Sequence, residues 1–246
     1  MSSKDINKAV SLSKNKLNCS LEVAKLKQEI KKLKKELSLE RKVHIGRIES
    51  MVTEMLEALS LAIEKRDLYT AGHQKRVAIL SVAIAKELGL SEVQIKNIYF
   101  GATIHDIGKI HIPAEILSYP GKLSDAEMDL VKTHPEIGFE IVKNIKFFCL
   151  AAQIVLSHHE RLNGSGYPHG LLAKDISIEC RIVSVADVVE AMTFRRPYRA
   201  ALGLKKALRE ISTHKDTLYD ASVVDACVRL FKEKRFTFKG APFVYK

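Results

Sequence analysis

The chain has no tryptophan, few aromatic residues of any kind, and four cysteines in 246 residues. Cys19, Cys149, Cys180 and Cys227 lie far apart and none forms a CxxC pair. That spacing argues against a disulfide framework and reads as reduced core or surface thiols. Long apolar runs are also missing. The longest, Phe147 to Leu156, is interrupted by Gln153 and is too short to cross a bilayer, so no membrane span is expected. The opening residues Met1-Ser2-Ser3-Lys4-Asp5 are polar and do not resemble a signal peptide. A reducing, cytoplasmic setting is the expectation that follows.

What is present is 46% apolar content, enough for a substantial core in one large domain or in one domain with an extension. The formal charge is +11, but +7 of it falls in residues 1–45, where twelve Lys or Arg face five Asp or Glu. The charge therefore describes the N-terminal segment rather than the domain. A Lys-rich helical stretch of this kind reads as a solvated face, and no nucleic-acid polymer is expected as a partner.

Residues 1–18 are polar and without a clear period, which reads as a flexible leader. From Cys19, apolar residues step by four and three through Val23, Leu26, Ile30, Leu33 and Leu37, the a/d spacing of a coiled coil. The stripe resumes as Ile45, Ile48, Val52, Met55, Leu59 and Ala62 after one register slip. Residues 19–50 are accordingly expected to form a coiled-coil or signalling helix that makes a homodimer, and residues 51–246 a catalytic domain. Within that domain the pattern is almost wholly helical, with helices expected at 71–88, 92–106, 124–133, 136–144, 149–159, 178–194, 203–213 and 220–233. Ser91-Glu92-Val93-Gln94 and Ser124-Asp125-Ala126-Glu127 both read as capping boxes. Residues 235–245 alternate around a turn and suggest a small hairpin.

Nine histidines raise the question of which converge. His73, His105 with Asp106, His134, and the pair His158-His159 all fall at expected helix ends, and Asp187 lies inside an apolar helix where an unpaired carboxylate would be costly. A metal ion removes that cost, and imidazole with carboxylate suits first-row transition ions. His44, His111, His169 and His214 lack such support. Lys109 follows Asp106 by three residues, a spacing that aims its ammonium at the same place, where it could bind a phosphate or protonate a leaving oxygen. The Gly164-Ser165-Gly166 turn permits close backbone approach by a ligand, Tyr167 and Pro168 offer a flat surface for a base, and the forks of Arg196 and Arg199 can meet phosphate or guanine.

The order His73, His105-Asp106 and Asp187 resembles the HD phosphohydrolase superfamily, and His158-His159-Glu160 through Gly164-x-Gly166-Tyr167-Pro168 is similar to its HD-GYP branch, the cyclic di-GMP phosphodiesterases. The HDIGK, THPEIG, HHExxNGxGYP, ADVVEAM and RPYR segments carry the resemblance over roughly residues 50–235. It implies an all-α fold, an HD-type helical bundle preceded by a long N-terminal coiled-coil helix. It also implies that His73, His105, Asp106 and Asp187 hold one divalent ion, that His134, His158 and His159 complete a second site, and that Asp106 bridges the two. A water activated there would attack a phosphodiester of cyclic di-GMP in line, giving pGpG and, on rebinding, GMP. The His-rich shell favours iron over manganese. Two alternatives stand beside this reading: a cyclic-dinucleotide receptor without turnover, and a phosphohydrolase of another cyclic dinucleotide. Leu162, Asn163 and Arg195 depart from the family's usual residues without removing a ligand. Tyr69 stands where members with a third metal carry Glu, so two ions are expected, with Glu64 left undirected by any sequence signal.

Overall fold

The computed structural model describes residues 3–66, 72–145, 149–194 and 201–238, and among these the side chains of all but residues 3–21 and 24. It divides into two units, Met1–Val52 and Thr53–Lys246. Helix α1 runs Ser3–Glu64. The backbone is thus helical where a flexible leader was expected, because the polar residues 3–18 include no helix-breaking Pro or Gly. In the first unit Val23, Leu26, Ile30, Leu33 and Leu37 are all exposed, leaving the apolar stripe facing solvent.

The second half of that stripe is corrected by the structure. Met55 and Leu59 are exposed, while Leu56, Ser60, Ile63 and Glu64 are buried. The face that packs is one residue out of step with the expected one, because the end of α1 is gripped by its own domain: the Tyr99 hydroxyl donates to Glu57 Oε1 at 2.8 Å.

The domain is built from α2 (His73–Glu87), α3 (Glu92–Ile104), a 3-10 turn (Ile107–His111), α4 (Ala114–Leu117), α5 (Asp125–Val131), α6 (His134–Val142), α7 (Cys149–Ser157), α8 (Ile178–Thr193), α9 (Leu204–Thr213) and α10 (Ala221–Lys232). The described residues contain no named strand, only isolated bridges. The expected hairpin lies largely outside them. Helix α8 is the central strut, with Ile182, Val183, Val185, Ala186 and Val189 fully buried, and α2, α3, α7, α9 and α10 pack on it. Both capping boxes are present: Ser91 accepts from Gln94 N and Ser124 from Glu127 N, and each glutamine or glutamate side chain returns to the cap backbone. Cys180 and Cys227 are buried on α8 and α10, where burial pushes their thiols up to about 11 and about 12. No helix among the described residues is long and apolar enough to cross a membrane.

Candidate metal centre

Helix ends bring the histidines together. His105 follows the last residue of α3, His134 follows α5 and opens α6, and His158 and His159 follow the last residue of α7. A helix end leaves carbonyls without intrahelical partners. Three of the histidines use them: His105 Nδ1 lies 2.7 Å from Ala102 O, His134 Nδ1 2.7 Å from Val131 O, and His158 Nδ1 2.9 Å from Val155 O. Each Nδ1–H donates three residues back, which fixes the tautomer and leaves Nε2 as a lone-pair acceptor turned inward. His73, the first residue of α2, makes its Nδ1 bond to Glu190 instead, and Arg76 holds the other oxygen of Glu190 at 2.7 Å.

Backbone proximity places Asp106 among them. At Gly108 a Cβ would stand 1.9 Å from His134 O, so the 3-10 turn and the start of α6 touch backbone to backbone, and only glycine allows it. One oxygen of the Asp106 carboxylate then lies 3.8 Å from His73 Nε2, 3.5 Å from His105 Nε2 and 2.7 Å from Lys109 Nζ. The other lies 3.4 Å from His134 Nε2. Asp187 on α8 reaches His73 Nε2 at 3.3 Å. Burial raises the Asp106 pKa, but Lys109 and the surrounding imidazoles outweigh it and hold the carboxyl well below its ordinary value. Asp187 is likewise held low, burial being overcome by its bond to His73. Burial pushes His134 down to about 4 and His158 and His159 well below the ordinary imidazole value, with repulsion from neighbouring imidazoles adding to the effect.

Two donor groups result. Asp106, His134, His158 and His159 form one, and His73, His105 and Asp106 the other; within each, the donor atoms lie within 4.8 Å of one another. Both fit divalent metal ions on internal grounds. His105 Nε2 is buried without a hydrogen-bond partner. His134 Nε2 and His158 Nε2 face each other at 3.3 Å as two neutral acceptors, an arrangement that repels until a cation stands between them. Asp106 belongs to both groups, one oxygen turned to each.

The centre forms part of the lining of a cavity of about 530 Å³, reached by His73, Asp106, Lys109, His134, His159 and Asp187. Tyr167 lines it too, but stacks on His159, with centroids 4.6 Å apart and planes 28° from parallel. The glycines of that loop correct their sequence reading. A Cβ on Gly166 would meet Glu160 Cα at 2.4 Å and His159 O at 2.5 Å, so the close approach is the loop's own backbone against the His159–Arg161 turn. Gly164, at φ 78°, turns the chain rather than facing the cavity, and neither it nor Gly166 or Pro168 is among the lining residues. Buried Glu160 anchors the loop by accepting from His169 N at 2.8 Å and Leu171 N at 2.9 Å. Arg196, Arg199 and Tyr69 lie outside the described residues.

Sequence reasoning missed Glu190 and Tyr119 and left Glu64 without a direction. Glu190 follows Asp187 by three positions on α8, so the i, i+3 spacing was a readable signal. Glu64 is buried and turned inward: its carboxylate accepts from Gly72 N at 2.8 Å and Gln74 N at 3.3 Å, on either side of His73. Tyr119, on the cavity lining, carried no sequence signal.

The family profile described as HD domain matches residues 57–223. The chain is similar to a cyclic di-GMP phosphodiesterase of Thermotoga maritima, 44% identical over 209 residues that cover 83% of this chain and 57% of that protein. It is similar to the cyclic di-GMP phosphodiesterase response regulator RpfG of Xanthomonas campestris pv. campestris, 41% identical, covering 78% and 52%. A 3'3'-cGAMP-specific phosphodiesterase 3 of Vibrio cholerae is 36% identical, covering 68% and 36%. The chain thus spans about half the length of the first two relatives. Among solved structures it is similar to Bd1817, an HDG"Y"P protein from Bdellovibrio bacteriovorus, with a TM-score of 0.57 at 25% identity over 76% of this chain and 61% of that one.

Proposed function

Starting from the HD domain family and its HD-GYP branch, to which this chain belongs, we propose that it is a phosphodiesterase that opens cyclic di-GMP to linear pGpG. One observation carries the reading: a single buried carboxylate, Asp106, is shared between two imidazole-rich donor groups at a cavity wide enough for a nucleotide-sized ligand. The names of the relatives at 44% and 41% identity support the substrate. His73, His105, Asp106 and Asp187 would hold one divalent ion, and His134, His158 and His159, with Asp106 shared, the second. When bound, the pair supplies Lewis-acid polarisation of the phosphoryl group and neutralises developing charge. The His-rich donor set favours iron, with manganese next.

The protein's own contribution is orientation and charge. Backbone carbonyls behind the imidazoles fix their direction before any ion or substrate arrives. The Lys109 ammonium, held at 2.7 Å from Asp106, stands at the cavity wall where an anionic phosphate oxygen must lie, and it stabilises that charge or returns the proton to the departing ribose oxygen. Water adds across one phosphorus–oxygen bond, leaving a 5′-phosphate and a free 3′-hydroxyl on the linear dinucleotide. Arg196 and Arg199 are assigned to phosphate or guanine contact from their place in the RPYR segment. The exposed stripe from Val23 to Leu37 is assigned to pairing with a second copy.

The test is anaerobic turnover of cyclic di-GMP and of 3'3'-cGAMP by iron- or manganese-loaded protein, with Asp106→Ala as control. Binding without turnover would replace the enzyme by a receptor. A strong preference for the mixed-base ring would move the substrate to the one named by the Vibrio relative.

A further inference from the structure

We infer that the outer part of the cavity is a nucleobase subsite in which Tyr119 stacks the base and Lys122 neutralises the second phosphate of the ring. The inference rests on the phosphodiesterase reading of the same site and names residues for the part of the ligand away from the metal ions.

Tyr119, Lys122 and Met128 line the cavity, yet Tyr119 is 49% and Met128 41% exposed, whereas His73 and His134 on the same lining are buried. A tyrosine and a methionine that line one cavity and stay exposed offer it apolar surface that a ligand would cover. The tyrosine ring is also backed by the chain. A Cβ at Gly121 would stand 2.8 Å from Tyr119 Cε1 and 3.4 Å from Cζ, so the ring rests on the glycine and is braced against turning towards it. Tyr167, the aromatic residue the sequence suggested for stacking, already lies against His159. That leaves Tyr119 as the other tyrosine on the cavity lining.

Charge agrees with this placement. A cyclic dinucleotide carries two phosphodiesters. Lys109 serves the one at the metal end, where it is paired with Asp106. Lys122 is the other lysine on the lining, two residues after Pro120 in the connection between α4 and α5 and three after Tyr119.

Tyr119→Ala should raise KM for cyclic di-GMP on the order of 10-fold while leaving kcat within about 3-fold, as loss of a base-stacking aromatic does. Tyr119→Phe should restore the wild-type KM, and Lys122→Gln should raise KM and flatten its dependence on salt. Calorimetric titration of cyclic di-GMP into the same proteins supplies a readout that does not depend on turnover. A KM and affinity unchanged in Tyr119→Ala overturn the subsite and leave the hydrolytic reading standing. Tyrosine-dependent binding without hydrolysis overturns the hydrolytic reading and keeps the subsite. Absence of both binding and hydrolysis removes both.

Discussion

At the scale of single residues, the centre is prepared by the backbone. His105, His134 and His158 repeat one local device, an imidazole at a helix end whose Nδ1–H is satisfied by the carbonyl three residues earlier. The sequence displayed this device as histidines at expected helix ends, which is why they could be picked from nine. Roles set by the cavity were less legible. The Gly164 and Gly166 positions read as a ligand-facing turn, and it is the 2.4 Å clash a Cβ on Gly166 would make with Glu160 Cα that shows the loop closing on itself. Lys109 was legible from its spacing, and its 2.7 Å pairing with Asp106 keeps its charge at the cavity wall. Lys109→Ala should therefore lower kcat by about 10²-fold or more, the usual contribution of a positioned acid or charge. Steady-state kinetics check this; an unchanged kcat would reduce Lys109 to a partner of Asp106.

At the scale of elements, helix positions were readable because capping boxes and apolar periodicity mark them locally, whereas contacts between successive helices were not. Glu64 shows the difference. The N-cap of helix α2 is Gly72, at φ 74°, which has no side chain to cap the helix. Glu64, from the end of α1, supplies the missing acceptor by taking Gly72 N and Gln74 N. Nothing in residues 67–71 announces that closure. Since both carboxylate oxygens are engaged by the backbone beside His73, Glu64 works as a cap. Glu64→Ala should lower stability by about 1–2 kcal/mol, a fall in Tm of roughly 2–8 °C, without changing the number of ions bound. Thermal unfolding and elemental analysis test the two halves; an unchanged Tm, or an ion lost on substitution, would overturn this assignment.

At the scale of the whole molecule, the all-α architecture follows from the near absence of alternating runs, and the apolar content is spent on helix faces around α8. The register of α1 beyond Val52 could not be read from periodicity, because Leu56 and Ile63 lie one position away from an equally regular stripe that stays exposed. The exposed residues Val23, Leu26, Ile30, Leu33 and Leu37 carry the pairing proposal. Deleting residues 1–44 should weaken self-association in light scattering; a full chain that is monomeric at tens of micromolar, roughly where a modest coiled coil still pairs, would remove the dimer. The central claim is that Asp106 joins two metal sites into one hydrolytic centre. Its most direct test measures cyclic di-GMP turnover and ion content on the same anaerobically loaded samples of wild-type protein and Asp106→Ala. The account predicts pGpG from the wild type with about two ions per chain, and from Asp106→Ala no turnover, fewer ions and an unaltered helical spectrum. Turnover by Asp106→Ala near the wild-type rate would contradict it.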